Sequence, residues 1–235
     1  MISLANRVTF GPDGPVVGRS QVPVSSIIER LEQGESWAAA VSELALEPLD
    51  VVAALALDAL GDEGSLGLPL IQGDPPRPAL SSALNEPAIR AVAPDSDRGT
   101  RLALAAGLLQ IYDFWDASHH AAQAADDLGE RAFSSYWHAI AHRREPDPGN
   151  AAYWFRRVGQ HPLLTTLWQA AQPIFATEEN SVALDRAGRW DTTAFIGLCA
   201  RARPGSKEES LARRLQRIET LTLLDANAQA MGLVN

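Results

Sequence analysis

All five histidines of this 235-residue chain, at 119, 120, 138, 142 and 161, fall between Tyr112 and His161, in a stretch that also holds Trp115, Trp137 and Trp154. Imidazole titrates closest to neutrality and is the commonest nitrogen ligand of metals, so chemistry is expected here. Asp113, Asp116 and His120 are spaced three and four apart, which on one continuous helix sets them along a single stripe. His138, His142 and Glu145 repeat that spacing on the next predicted helix. Facing each other, the two helices would offer His119, His120, His138 and His142 to a Zn, Fe or Mn ion. His138 or His142 would bind metal or move protons, with Glu145 or Asp116 orienting an imidazole or acting as base. The same residues also suit a metal-free polar pocket or a buried hydrogen-bonded network without chemistry, because His-x-x-x-His is common on helices that bind nothing.

Arg143, Arg144, Arg156 and Arg157 form two pairs around the turn Pro146-Asp-Pro-Gly-Asn150. Arginine's planar fork suits carboxylate or phosphate, so a small anionic substrate is expected at this turn, with Trp115, Tyr153 and His161 in its walls. Internal ion pairs to Glu145, Asp147 or Asp113 are the competing use. Cys199, beside Phe195 and Ile196, reads as a core thiol, and Asp126, Asp127 and Glu130 as a solvated acidic surface.

The elements that must position these groups are predicted to be mainly α. Arg7–Phe10 and Val16–Val24 are short, β-branched and broken by Gly-Pro pairs, which suggests a small β-arm. Three short helices follow, capped by Ser25 or Ser26, by Ser36, and begun by Pro48, giving a helix-turn-helix-like module over residues 1–66. Prolines at 69, 75, 76, 78, 87 and 94 define a Pro-rich linker over 67–100, extended apart from a turn near Pro78 to Leu84. Residues 101–235 read as a helical bundle. Its first helix runs from Arg101 to about Asp127, its second from Phe133 to Arg144, a third is capped by Asn150, a fourth spans Leu163 to Gln172, and Asp191 and Ser206 open the last two.

Gly18-Arg-Ser-Gln-Val-Pro-Val24, then Ile27, Leu31, Gly34 and Leu49-Asp-Val-Val-Ala-Ala-Leu55, resembles a small bacterial domain of unknown function that often serves as the antitoxin beside PIN-type toxins. The family prefers Thr-Arg where this chain has Ser20 and Gln21. The resemblance implies DNA binding, but residues 1–66 carry ten carboxylates against three arginines, so packing or dimerisation is the better expectation. The run Tyr136-Trp-His-Ala-Ile-Ala-His-Arg-Arg-Glu-Pro-Asp-Pro-Gly-Asn-Ala-Ala-Tyr-Trp-Phe-Arg-Arg-Val-Gly-Gln-His-Pro162, with Asp113-Phe-Trp-Asp-Ala-Ser-His119 and Arg189-Trp-Asp191, resembles an uncharacterised bacterial and fungal helical family. That resemblance implies a shared fold and site and names no activity. The family carries one histidine after Ser118, matched by His119, and either His119 or His120 is expected to face the site.

A net charge of −9 works against nucleic acid or an anionic membrane as partner. The lone Cys199 fits a reducing compartment, the first ten residues lack a secretory pattern, and no apolar run approaches the ~20 residues of a membrane span, so a cytoplasmic protein is expected. The expected function is a small-molecule enzyme or ligand-binding protein acting on a small anion. The alternative is an antitoxin-like or scaffold protein, a homodimer for example, without catalysis.

Overall fold

The valines of the N-terminal arm form a small antiparallel sheet of β1 (Val8–Gly11), β2 (Gly14–Val17) and β3 (Val22–Pro23), with Val17 opposite both Val8 and Val22. The computed structural model describes residues 4–177, 184 and 188–233. Three helices follow the sheet: α1 (Val24–Glu32), α2 (Trp37–Glu43) and α3 (Pro48–Leu60). Neither Ser25 nor Ser26 caps α1; it starts at Val24, directly behind Pro23, whose φ of −58° already suits a helix. Ser36 does cap α2, accepting from the Ala39 amide, and Pro48 sits in the first turn of α3. A capping box between Glu47 and Asp50 completes the start of α3, and Arg7 donates to both carboxylates, tying the sheet to the helix.

Residues 67–100 contain a 3-10 turn, Pro78–Ser82, and a short helix, α4 (Glu86–Arg90). They lie against the protein, burying Leu68, Leu70, Leu80, Leu84 and Ile89. An extended, proline-interrupted chain cannot pair its carbonyls in a ladder, so side chains must supply the donors. Arg213 donates to Gly67 and Leu68, Gln216 to Leu68 and Pro69, and Arg144 to Pro69.

The bundle comprises α5 (Arg98–Ile111), α6 (Trp115–Asp127), α7 (Ser134–Arg144), α8 (Pro148–Val158), α9 (Leu163–Phe175), α10 (Thr192–Arg201) and α11 (Lys207–Ala230). Asp191 and Ser206 cap α10 and α11 as expected, whereas α8 is capped by Asp147, with Asn150 inside its first turn donating to that carboxylate. The single helix expected over 101–127 is broken into α5 and α6 at Asp113, which takes φ +60°. Arg144 holds the break. Wholly buried, it donates to the Gln110 carbonyl at the end of α5 and to Asp113 Oδ1 at 2.7 Å. α6 therefore folds back along α5 instead of continuing it.

α5 is buried from Ala103 to Ile111 and packs against α6, α7 and α11. Trp137 of α7 fits over Gly107, where a Cβ would come within 2.5 Å of the indole ring, and its Nε1 donates to Asn227 of α11. The apolar core is continuous from Leu4 to Leu233. Among the described residues no helix is long and apolar enough to cross a membrane.

Two stability predictions follow from these contacts. In Gly107→Ala the helix-propensity gain of about 0.5–1 kcal/mol is outweighed by overpacking of about 1–3 kcal/mol against Trp137, so the urea midpoint falls. A higher midpoint would show that the indole can move aside. Arg144→Ala strands Asp113 and the Gln110 carbonyl, and a loss of about 3–5 kcal/mol is expected in the same assay; a loss below ~1 kcal/mol would mean that the break does not depend on the ion pair.

Candidate metal centre

α6 and α7 lie side by side because α6 buries Ser118, Ala122 and Ala125 while α7 is buried along its whole length. Ser118 Oγ donates to the Ala106 carbonyl of α5, fixing the rotation of α6 and turning its neighbour His119 toward α7. Trp115, one turn before His119, donates Nε1 to the Ala141 carbonyl at 3.1 Å and stacks on the His119 ring. His138 and His142, one turn apart on α7, lie nearly parallel, with 5.2 Å between centroids. His119 meets both edge-on, its centroid 4.2 Å from that of His138 and 5.3 Å from that of His142. Trp154 of α8 covers the far side of His138, stacked at 3.7 Å.

One ring nitrogen from each of His119, His138 and His142 lies within 4.8 Å of the others. Ligands at ~2.0–2.1 Å from a tetrahedral zinc stand about 3.4 Å apart, so closing on an ion needs side-chain shifts of roughly 1 Å. Glu145 accepts from His142 Nδ1 at 2.8 Å, the carboxylate-to-imidazole contact that fixes a ligand's tautomer and leaves Nε2 free to coordinate. His142, Glu145 and Asp147 form a second such group of donors, nearer the surface.

His138 is 1% exposed, and its Nδ1 is buried with no hydrogen-bond partner. A buried polar nitrogen left unpaired costs about 1–3 kcal/mol, so a missing partner is implied. Burial, and next the neighbouring imidazoles of His119 and His142, push the His138 pKa down to about 3. Burial first, then His142 and His120, also lowers that of His119. Neutral imidazole is the form that binds metal, and the site favours it without one.

The structure does not bring the other candidates to this cluster in the expected way. His120 is exposed, its Nδ1 donating to the carbonyl of Asp116, and Asp116 is likewise exposed in the first turn of α6. The Asp113–Asp116–His120 stripe is absent because the helix breaks at Asp113. His161 accepts from the Leu163 amide at the start of α9 and packs on Phe133 and Tyr136. Nor do the two arginine pairs converge on an anion. Arg143 is buried against Glu219 and the Phe195 ring, Arg144 holds Asp113, and Arg156 is exposed. Arg157 alone stands beside the histidines, lying over Trp154 and paired with Asp126, while Tyr153 edges the same indole.

The sequence assigns Trp154 no role at the site and reads Asp126 as solvated surface. The signal for both was Arg157, three residues beyond Trp154 on the same helix and in need of an anion. Cys199 fits its expected inertness, its thiol pushed up to about 11 by burial. Three cavities of about 500, 590 and 470 Å³ open elsewhere, and none is lined by His119, His138 or His142.

The depressed histidines make the metal-free protein pH-sensitive. An unfolded His138 titrates near 6.5 and the folded one near 3, so stability is complete above 6.5 and is lost as pH falls toward 3. Urea unfolding of chelator-treated protein is expected to weaken between pH 7 and 5 by up to about 1.4 kcal/mol per pH unit per histidine, and less in His138→Gln. Equal stability at pH 7 and 5 would contradict the neutral assignment. No protein-family model, curated protein or solved structure matches the chain, so what this centre does must be read from its own chemistry.

Proposed function

We propose that the chain is a small-molecule enzyme or ligand-binding protein built around a three-histidine metal centre of His119, His138 and His142. One observation carries the reading: three imidazoles from two helices each bring a ring nitrogen within 4.8 Å of the others, and one of them has a buried nitrogen without a partner. Zinc suits an all-imidazole donor set better than Fe or Mn, whose sites commonly recruit carboxylates among the ligands. Structural zinc sites are closed by four protein ligands, usually including cysteine; three histidines leave a position open for water or substrate, as catalytic sites do.

A metal held there would supply a Lewis acid and draw a nucleophile from water near neutral pH, which favours hydrolysis or lyase chemistry. The chain's own contribution is orientation. Glu145 fixes the His142 tautomer, Trp115 and Trp154 hold the rings of His119 and His138 by stacking, and an anionic substrate would have to compete with Asp126 for Arg157 at the rim.

Elemental analysis of tag-free protein, purified without chelators, tests the reading. About one zinc per chain is expected, lost in His119→Ala and in His142→Ala while both keep the native helical circular dichroism. Iron or manganese at that stoichiometry would overturn the choice of zinc alone. No metal, or metal unaffected by either substitution, would overturn the centre and leave the antitoxin-like or scaffold role, acting through a partner or a second copy, as the reading to pursue.

A further inference from the structure

The cavity of about 590 Å³ is bounded by the N-terminal sheet, the end of α3, α9 and α11, and shares no lining residue with the histidine cluster. We propose that it is a binding site for a small amphipathic cation, a molecule with a hydrocarbon body and an ammonium head.

It is a groove open to solvent, lined by the exposed Phe10, Asp62, Glu63, Thr166 and Ala170, and its size lies within the range of ligand pockets, about 300–1,000 Å³. The opening has a cause in the sequence. Its lining is short there: Ala53 and Ala56 of α3, both buried, and Ala170 of α9, exposed, each carry only a methyl group. Leu57 and Leu221 complete an apolar floor. Phe10 of β1, in the same lining, is 65% exposed, the most exposed of the large apolar side chains among the described residues. An aromatic ring left in water at the edge of an apolar cavity is covered when the cavity is occupied.

Charge selects the head group. Among the described residues, Asp62, Glu63 and Asp225 line the cavity with Arg217 as the cation, and Asp225 already accepts from the Leu4 amide and from Gln229. That guanidinium is committed to backbone, donating to the carbonyls of Leu60 and Gly61, so it is poorly placed to receive a ligand carboxylate. Among the described residues, the exposed Asp62 and Glu63 carry the negative charge at the rim beside an engaged guanidinium, a lining that attracts an ammonium and repels an anion of the same chain length. Burial raises the pKa of Asp225, and a cation beside it would offset that burial.

Isothermal titration of the 235-residue chain with decylammonium, decanoate and decan-1-ol, each below the concentration at which it aggregates, tests the proposal. Decylammonium is expected to bind saturably at one per chain, and at least ~tenfold more tightly than either of the others. Ala170→Trp, at an exposed position of α9, fills the cavity without disturbing the core and should abolish binding while leaving the circular dichroism and metal content unchanged. The pair Asp62→Asn, Glu63→Gln should erase the preference for the ammonium and retain hydrocarbon binding. Absence of saturable binding, equal binding of decanoate or decan-1-ol, or binding that persists in Ala170→Trp would overturn it.

Discussion

A guanidinium with no access to water sets the arrangement of the bundle. Arg144 ends α7 and reaches into the corner between α5 and α6, where it takes the Gln110 carbonyl in the last turn of one helix and the Asp113 carboxylate that starts the turn to the next. A buried charge is tolerated only when its partners are fully in place, so these contacts admit little variation in how the three helices meet. The same side chain donates to Pro69, and its own carbonyl accepts from Gln72, which fixes the path of the proline-rich segment. A second buried pair, Arg143 with Glu219, does the corresponding work between α7 and α11, with Tyr136 donating to the same carboxylate. Adjacent residues on one helix thus anchor it in two directions, and both lie within two residues of His142.

That anchoring explains how imidazoles on separate helices stay close. One ring edge-on to two nearly parallel ones, with indoles stacked outside them, leaves little freedom to rotate away, and Ser118 and Trp115 fix the height of α6 against its neighbours by hydrogen bonds to backbone carbonyls. Burial and neighbouring imidazoles keep the rings of His119 and His138 neutral, and the cost that remains is the unpaired nitrogen of His138. A cation that accepts the neutral rings as ligands would remove that cost.

Much of this was legible in the residues. The mainly helical class, the caps at Ser36, Pro48, Asp191 and Ser206, and the region that holds the histidine cluster follow from local spacing and cap chemistry, which depend on neighbours in the chain. The break at Asp113 was hidden because nothing local demands it: Ile111-Tyr-Asp-Phe-Trp115 is compatible with helix, and only Arg144, some thirty residues on, makes the left-handed turn worthwhile. The fate of the arginines was illegible for the same reason. Glu219, the partner that removes Arg143 from any anion site, lies 76 residues away and looks on its own like one more charge on an amphipathic helix. His119 was separated from His120 in space by the burial of Ser118, and periodicity counted along one long helix could not register that.

X-ray absorption at the metal edge of the protein as purified bears most directly on the three-histidine centre. The account predicts a zinc spectrum with three imidazole nitrogens and one further oxygen or nitrogen ligand at about 2.0–2.1 Å, falling to two imidazoles or fewer in His119→Ala. A first shell of oxygens alone, a sulfur at about 2.3 Å from Cys199, or a spectrum unchanged by that substitution would contradict it.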